Sequence, residues 1–430
     1  MALTDLRPAF AGAAETGFRK IAVRFVPLLL LAYVFNYLDR TCIGFAALTM
    51  NRDLGLSNSQ FGLGAGIFFA GYCVFEIPSN MALYRFGARR WIARIMITWG
   101  LASAATALVT GPNSFYLVRF LLGVAEAGFF PGVTYFLAAW FPAQYRTRML
   151  AWFVLGIPLS SVVGGPVCGA LLQLNGVLGL AGWKWLFLAV SLPCVLIGVG
   201  VYALLADRPR EATWLLPEER EAVEAALTGE VRERPKARLL DALGDSRVWI
   251  LAGIQFCFTL GSYGIGIWLP LIMSQGQLST FAIGWLSAIP YVFASVAMMA
   301  WAWAVDRSGR RIVHQTVTCA IAAAGLGGAL LLGGSLLVMV AWLTIALIGV
   351  TAARAVFWTI PTRFLTGAAA AGGLAFINTI GTLGGFAGPY MMGVLKDMTG
   401  SFLAGIAGMA AVMVAATLLS ISLRLVMTRE

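Results

Sequence analysis

Hydrophobic positions along this chain come in long blocks and not in short alternation. About twelve apolar segments of spanning length can be traced. They lie near 25–48, 58–84, 91–110, 114–138, 148–174, 184–206, 248–273, 281–305, 312–333, 335–360, 366–393 and 402–425. Each is near or above the ~20 residues that a helix needs to cross the hydrocarbon of a bilayer. Strands would leave unpaired backbone facing lipid, so the pattern predicts an all-α integral membrane protein. One long polar interruption, from Asp207 to Arg247, carries Pro209, Pro217, Pro235 and charges of both signs. It divides the spans six and six. The expected units are a first six-helix bundle over residues 1–206, a cytoplasmic linker over 207–247 and a second bundle over 248–430. Within the linker, Leu216-Pro217-Glu218-Glu219-Arg220 reads as the start of a surface helix, with proline in the first turn and acids near the N-terminus.

Composition narrows the function classes. The chain has 430 residues, 60% hydrophobic and 11% charged, whereas a soluble domain is about 25% charged. A soluble enzyme is excluded. The net charge of +11 suggests nucleic acid only if its placement is ignored. Arg52, Lys184 and Lys396 fall in loops on one side, and Arg40, Arg119 and Arg354 fall inside spans. The other basic residues fall on the opposite side, which holds both termini. That asymmetry predicts cytoplasmic termini and no nucleic-acid partner. The six cysteines (Cys42, Cys73, Cys168, Cys194, Cys257, Cys319) lie scattered in apolar segments without metal spacing, and His314 is the sole histidine. No metal or cofactor is expected. The residues before the first span are mixed and basic, and read as no cleavable signal peptide.

The two sets of spans echo each other. Tyr84-Arg85-Phe86-Gly87-Ala88-Arg89-Arg90 follows span 2, and Asp306-Arg307-Ser308-Gly309-Arg310-Arg311 follows span 8. Gly165-Pro166-Val167-Cys168-Gly169 in span 5 matches Gly388-Pro389-Tyr390-Met391-Met392-Gly393 in span 11. The two alignments agree on their offset to within one residue. This predicts a duplicated six-helix unit, the architecture of alternating-access carriers.

These stretches resemble the major facilitator superfamily, and the resemblance covers nearly the whole chain. The loop signature G-x-x-x-D-R-x-G-R-R is nearly complete after span 8, with Ala302 in the first glycine's place. After span 2, Asn80 and Tyr84 replace the Gly and Asp. That departure resembles one branch, the anion:cation symporters. So do Tyr37-Leu38-Asp39-Arg40, Glu76-Ile77-Pro78-Ser79-Asn80, Arg119-Phe120-Leu121-Leu122-Gly123, Glu126-Ala127-Gly128-Phe129-Phe130-Pro131, Trp140-Phe141-Pro142, Phe357-Trp358-Thr359-Ile360-Pro361 and Gly384-Gly385-Phe386-Ala387-Gly388-Pro389. The resemblance implies uptake of organic anions such as sugar acids, tartrate-like and aromatic carboxylates, driven by protons or sometimes sodium. It also implies that Glu126 is a proton-coupling acid with Arg119 as its modulator. Cys42 departs from the branch, which often has Asn there.

The residues themselves suggest how labour is divided. A charge at the centre of a membrane helix costs roughly 2.5–3.5 kcal/mol on insertion scales. Asp39, Arg40, Glu76, Arg119, Glu126 and Arg354 would together cost roughly 15–20 kcal/mol if unpaired at mid-membrane, so they must pair or face water. Tyr33, Asn36, Tyr37 and Arg40 share one edge of span 1, while Asp39 lies about 100° round. A guanidinium suits a carboxylate through paired hydrogen bonds. A carboxylate poised between desolvation and a nearby arginine can bind and release a proton. The bland alternative is a structural ion pair. Arg119 and Glu126 face the same way on span 4, about 10 Å apart along the axis. Gly123 lies between them and leaves room, and a static tie between spans 1 and 4 is the alternative. Tyr72 reads as a substrate contact and Glu76 as a gate or packing pair. Arg354 is either a second carboxylate clamp or an inner-mouth residue that reaches to water. Asn378 is either a ligand for substrate hydroxyls or an interhelical hydrogen bond.

All three acids lie in the first half, so the first half is expected to couple the cation and the second to shape the substrate site. Gly164-Gly165-Pro166-x-x-Gly169 resembles an antiporter motif, but its echo in span 11 argues for close packing and bending. Arg85, Arg89, Arg90 and Asp306, Arg307, Arg310, Arg311 are expected to latch the cytoplasmic ends in the outward-open state, with Asp306 at a helix N-terminus. The expected protein is a monomeric carrier in a bacterial inner membrane that imports an organic anion with protons. Asp39 and Glu126 take the proton, and Arg40 holds the anion with Tyr37, Tyr72 and Asn378. A drug or neutral-solute antiporter and a non-transporting receptor on the same scaffold remain as alternatives. A membrane enzyme lacks a visible nucleophile–base or metal set.

Overall fold

The computed structural model describes residues 8–228, 244–361, 364, 365 and 367–427. Among them the secondary structure is helical, with no strand. The first half holds α1 (Pro8–Asp53), α2 (Asn58–Phe86), α3 (Ala88–Ala105), α4 (Pro112–Glu126), α5 (Phe129–Trp140), α6 (Ala143–Val154), α7 (Gly156–Leu172) and α8 (Gly182–Leu204). A short α9 (Pro217–Thr228) lies in the linker. Then come α10 (Ser246–Ser274), α11 (Thr280–Ser308), α12 (Arg311–Leu332), α13 (Leu336–Phe357), α14 (Gly367–Thr399) and α15 (Phe402–Met427).

Among the described residues 11 helical segments are long and apolar enough to cross a membrane, and α14 occupies the remaining expected span. Two expected spans are each built from two helices end to end, α4 with α5 and α6 with α7. Serine caps set several starts: Ser57 with Gln60 forms a capping box on α2, and Ser279 and Ser335 cap α11 and α13.

Within each half the helices pack side by side. In the first, α1 lies against α7 and α8, α2 against α4, and α3 against α8; in the second, α10 lies against α14, and α12 against α13 and α15. Among the described residues the main contacts between the halves join α2 with α14, α7 with α11, and α1 with α10. Missing side chains make these crossings close. A methyl group on Gly165 or on Gly284 would run into the other's carbonyl, so α7 and α11 touch backbone to backbone. In the sequence echo of this stretch, Gly388 packs on the Leu260 carbonyl inside its own half, while Gly393 meets the Asn58 carbonyl of α2 in the other. Pro166 and Pro389 both lie within helices. Asp397, at the end of α14, accepts from the Asn58 amide (3.2 Å), the Asn58 side chain (2.7 Å) and the Ser59 amide (2.7 Å) at the start of α2. A carboxylate there also meets the positive end of the α2 dipole. The crossing contacts occupy the part of the molecule away from the termini. They reach inward as far as Glu76 and Asn378.

The face that carries the termini is arranged differently. Arg85 lies over its neighbour Phe86, 5.6 Å from the ring centroid, and Arg307 over Trp303 at 4.4 Å. Asp306, Arg307 and Arg310 are exposed. Asp306 sits in the last turn of α11 and not at a helix start. The Gly309 backbone is left-handed (φ 67°) and ends α11 just after it. The expected dipole contact is thus absent. Arg89 instead ties down within its own half, its amide donating to Asp207 (2.8 Å) and its Nε to the Tyr202 carbonyl (2.6 Å).

The linker helix forms where its sequence predicts and is docked. Helix α1 starts well before its apolar segment, and α9 packs on that early part. Lys20 Nζ lies 2.7 Å from Glu219, whose other oxygen accepts from the Leu216 amide at 3.0 Å. Arg24 stacks 5.0 Å from the Trp214 ring centroid. Burial pulls the Glu219 carboxyl upward. The Lys20 hydrogen bond, the Leu216 amide and the Lys20 charge outweigh that and hold it below its ordinary value. Linker residues 229–243, with Pro235, lie outside the described residues.

Candidate functional site

One cavity of about 540 Å³ lies between the halves, lined by α1, α2, α10, α11, α13 and α14 among others. The shared edge of α1 delivers Tyr33, Asn36, Tyr37 and Arg40 to it together. The 100° step to Asp39 turns that carboxylate into the first half, where it is 1% exposed. There it accepts a hydrogen bond from Ser103 Oγ of α3, while Oδ2 has no hydrogen-bond partner. Cys42 also points away from the cavity, its sulfur 3.0 Å from that of Cys168 in α7. The departure at Cys42 therefore leaves the cavity wall unchanged.

Arg40 and Glu126 form the centre of the site. Arg40 Nε donates to Glu126 Oε1 at 2.8 Å, and Nη2 donates to the same oxygen. Asn36 Nδ2 adds a third bond to that oxygen at 2.7 Å. Glu126 Oε2 is buried and has no hydrogen-bond partner. Arg40 Nη1 reaches across to the Tyr263 hydroxyl of α10 at 3.0 Å. The guanidinium sits 5.1–5.5 Å from the ring centroids of Phe68, Tyr72 and Tyr37, a contact favourable to a cation.

Backbone geometry puts Glu126 there. The apolar run of span 4 reads as one helix, but it breaks at Ala127-Gly128. Gly128 has φ 88°, a left-handed backbone that a side chain rarely adopts. The break frees the Ala127 carbonyl, which accepts from Ser79 Oγ of α2 at 2.6 Å; Trp91 Nε1 donates to that same serine at 3.0 Å. One turn earlier, Gly123 lets α4 press on the α2 backbone at Phe68 and Tyr72. Glu126 thus ends α4, held against α2 and under Arg40.

Arg119 is placed elsewhere. It is 2% exposed, with Nε 3.4 Å from the Gly64 carbonyl and the guanidinium 5.1 Å from the Phe68 ring centroid. It forms no ion pair with Glu126. Arg40 takes that role because it reaches the carboxylate from the facing helix, whereas Arg119 lies two turns back on the same one.

The other expected residues line the cavity. Tyr72 and Glu76 face it from α2, Asn378 from α14 and Arg354 from α13. Asn378 Nδ2 donates to Glu76 Oε1 at 3.4 Å, and Gln255 Nε2 of α10 donates to Asn378 Oδ1 at 3.4 Å. This string links three helices and crosses between the halves. Arg354 Nη2 donates to Ser262 Oγ, near the middle of α10, at 3.0 Å. Its side chain therefore runs inward and not out to the nearby mouth. Sequence reasoning assigned no role to Gln255, Ser262, Tyr263 or Tyr291, which also line the cavity. A glutamine inside an apolar run carries the same signal as Asn378 and was open to the same reasoning.

The arrangement offers two guanidiniums from opposite halves, one carboxylate lining the wall, several tyrosine hydroxyls, and a second carboxylate buried beneath one arginine. The profile of the Major Facilitator Superfamily matches residues 29–389. A protein named "Putative tartrate transporter" from Agrobacterium vitis is 48% identical over 407 residues, covering 94% of this chain and 90% of that protein. A "Quinolone resistance transporter" from Acinetobacter baumannii is 42% identical over 402 residues, covering 92% of each. Among solved structures, a bacterial homolog of the human lysosomal transporter Spinster, inward-facing and occupied, superposes with a TM-score of 0.72 at 18% identity. That match covers 93% of this chain and 94% of the other.

Proposed function

The chain belongs to the major facilitator superfamily and is a multi-pass membrane transporter, not an enzyme, and we propose that it imports a small organic anion together with protons. The observation that carries this reading is the Arg40–Glu126 bond at the cavity wall. A carboxylate entering the cavity and the Glu126 carboxylate compete for the same guanidinium. A proton on Glu126 removes the internal competitor and releases Arg40 for the cargo. Proton and anion then bind favourably together, which is what symport requires. Asp39, with one buried oxygen unpartnered, is the second proton site, and Arg119 a fixed positive charge behind it. Tyr37, Tyr72 and Asn378 orient the cargo. Glu76, tied to Asn378 across the halves, acts as a gate.

The two bundles, residues 1–206 and 248–430, rock about this site. With the termini in the cytoplasm of a bacterial cell, as the basic residues indicate, the conformation here faces inward. Arg85, Asp306, Arg307 and Arg310 then close the inner mouth when the carrier faces out. The carrier acts as a monomer in this reading. The name of the Agrobacterium vitis relative supports a carboxylate cargo. The name of the Acinetobacter baumannii relative favours a second reading, drug export. Two arginines in the cavity argue against a cationic drug.

Uptake into proteoliposomes tests the reading, with sugar acids, dicarboxylates and aromatic acids offered under pH and sodium gradients imposed separately. The expected result is accumulation of an acid driven by the pH gradient. It should be abolished by Asp39→Asn and by Glu126→Gln, while counterflow exchange survives. If both variants still accumulate the acid on a pH gradient, the coupling assignment is wrong. Export of a quinolone without uptake of any acid sinks the anion reading itself.

A further inference from the structure

We infer that the cargo carries two anionic groups, one taken by Arg40 and the other by Arg354, whose inward-drawn guanidinium meets no internal carboxylate. The inference rests on the organic-anion reading and narrows it to dicarboxylates.

Arg354 is the observation that the coupling scheme leaves unused. It lies in the last turn of α13, close to the mouth on the terminus side. A long cationic side chain in that place ordinarily extends to water. Here its Nη2 donates instead to Ser262 Oγ, near the middle of α10. The cavity draws the charge inward, where dielectric screening falls and a bare cation is costly. Among the described residues no acid lies within ion-pair distance of it. The single acid lining the cavity, Glu76, is engaged by the Asn378 amide.

The two arginines therefore differ in kind. Arg40 has a carboxylate of its own in Glu126 and becomes available only when that acid is protonated. Arg354 has a neutral hydroxyl for a partner, and stands open to an anion throughout. They also belong to opposite halves, Arg40 to α1 and Arg354 to α13. A cargo held by both spans the gap between the bundles. A monoanion satisfies one arginine and leaves the other bare in a cavity that must close around it. A dianion neutralises both, so in the closed, loaded state neither cavity guanidinium is left uncompensated. The hydroxyls of Tyr37, Tyr263 and Tyr291, which line the same cavity or border it, supply neutral hydrogen bonds between the two ends.

The test uses the full-length carrier in proteoliposomes with an imposed pH gradient. Four- to six-carbon dicarboxylates, hydroxylated and plain, are compared with their own monoamides, which keep shape but drop one charge. Wild type is expected to prefer a dicarboxylate over its monoamide by about 10- to 100-fold in uptake efficiency, the worth of one charged hydrogen-bonded contact. Arg354→Gln should collapse that preference to a few-fold by losing the dicarboxylate while the monoamide is little changed. Arg354→Lys, which keeps the charge without the fork, should fall between. A wild type that takes a monoamide as well as the parent acid overturns the inference, and needs no variant to fold. So does an Arg354→Gln protein, monodisperse in detergent, that loses both equally. Accumulation of monocarboxylates alone sinks this inference and leaves organic-anion import standing. Accumulation of no acid removes both.

Discussion

Replacing Glu126 by glutamine separates the internal competitor from the rest of the site. In the wild type one oxygen of Glu126 receives Asn36 Nδ2 at 2.7 Å, Arg40 Nε at 2.8 Å and Arg40 Nη2. Two of those three donors belong to the guanidinium that an incoming carboxylate must recruit. A hydrogen bond to a charged group is worth about 1.5–3 kcal/mol net. The Arg40 side chain is 15% exposed toward the cavity, so water offsets part of the pair. A single charged bond is therefore the fair measure of what the cargo must displace. Removing the charge should tighten anion binding by about 10- to 100-fold at pH 8, where the wild-type acid is most occupied with Arg40. The cost to stability should stay toward the low end of the ~3–5 kcal/mol typical for breaking a buried pair. Arg40 keeps Tyr263 and three aromatic rings, and the glutamine oxygen still accepts.

The assay is equilibrium binding of a transported carboxylate in detergent, titrated between pH 5.5 and 8. Wild-type affinity should weaken as pH rises, because deprotonated Glu126 reclaims the arginine. The variant should bind tightly and with little pH dependence over the same range. A Glu126→Gln protein that binds no tighter than wild type at pH 8, and keeps its pH dependence, refutes competition between the two carboxylates.

Three further outcomes are expected. Arg40→Lys keeps a positive charge but offers no fork to Glu126 or to cargo, so affinity should fall about 10-fold or more; unchanged affinity removes Arg40 from the anion site. Gly128→Ala forces a side chain into the left-handed backbone and against Ser79. It should cost at least ~1–2 kcal/mol and lower the thermal unfolding midpoint in detergent, and an unchanged midpoint argues that the break in span 4 carries no strain for alanine. Glu219→Gln should loosen α9 from α1, seen as faster amide exchange over 217–228. With Lys20 42% exposed, solvent limits the effect to about 0.5–1 kcal/mol. The Glu219 carboxyl is held below its ordinary value, so this contribution is present above the unfolded carboxyl's pKa and fades as pH drops through the lower folded value. Measured against the intrinsic exchange rate at each pH, protection over α9 should fall in acid for the wild type and should not for the variant.

The spans were legible because lipid imposes one rule on long apolar runs, and the duplication because two unrelated motifs have offsets that agree to within one residue. The cavity-facing edge of α1 was legible for a similar reason: helical periodicity alone groups Tyr33, Asn36, Tyr37 and Arg40 and sends Asp39 elsewhere. What periodicity does not encode is where a run stops being one helix. Glu126 through Trp140 reads as unbroken. The turn at Gly128 exists because Ser79, far away in the chain, takes the freed carbonyl. The same limit hid the partner of Glu126. The family resemblance made Arg119 its modulator and a tie between spans 1 and 4 stood as the alternative; the pair is decided by how α1 lies across α4. Asp306 shows a smaller version, since a motif remembers residue order and not whether the helix starts or ends there. Tyr263 becomes part of a wall only through the opposing half, from which Arg40 reaches its hydroxyl.

Asp397 on the first amides of α2 gives the fold something the cavity lacks, a clasp exposed to the medium. Interactions of this kind between water-accessible charges and helix ends weaken as salt rises, with a screening length of about 10 Å at 0.1 M. The buried contacts around Arg40 are largely immune to that screening. Under the proposed orientation the clasp is bathed by whatever lies outside the cell. A brackish exterior would relax it and a dilute one would tighten it. The carrier's resting posture would then follow the salinity of its surroundings even with no cargo bound.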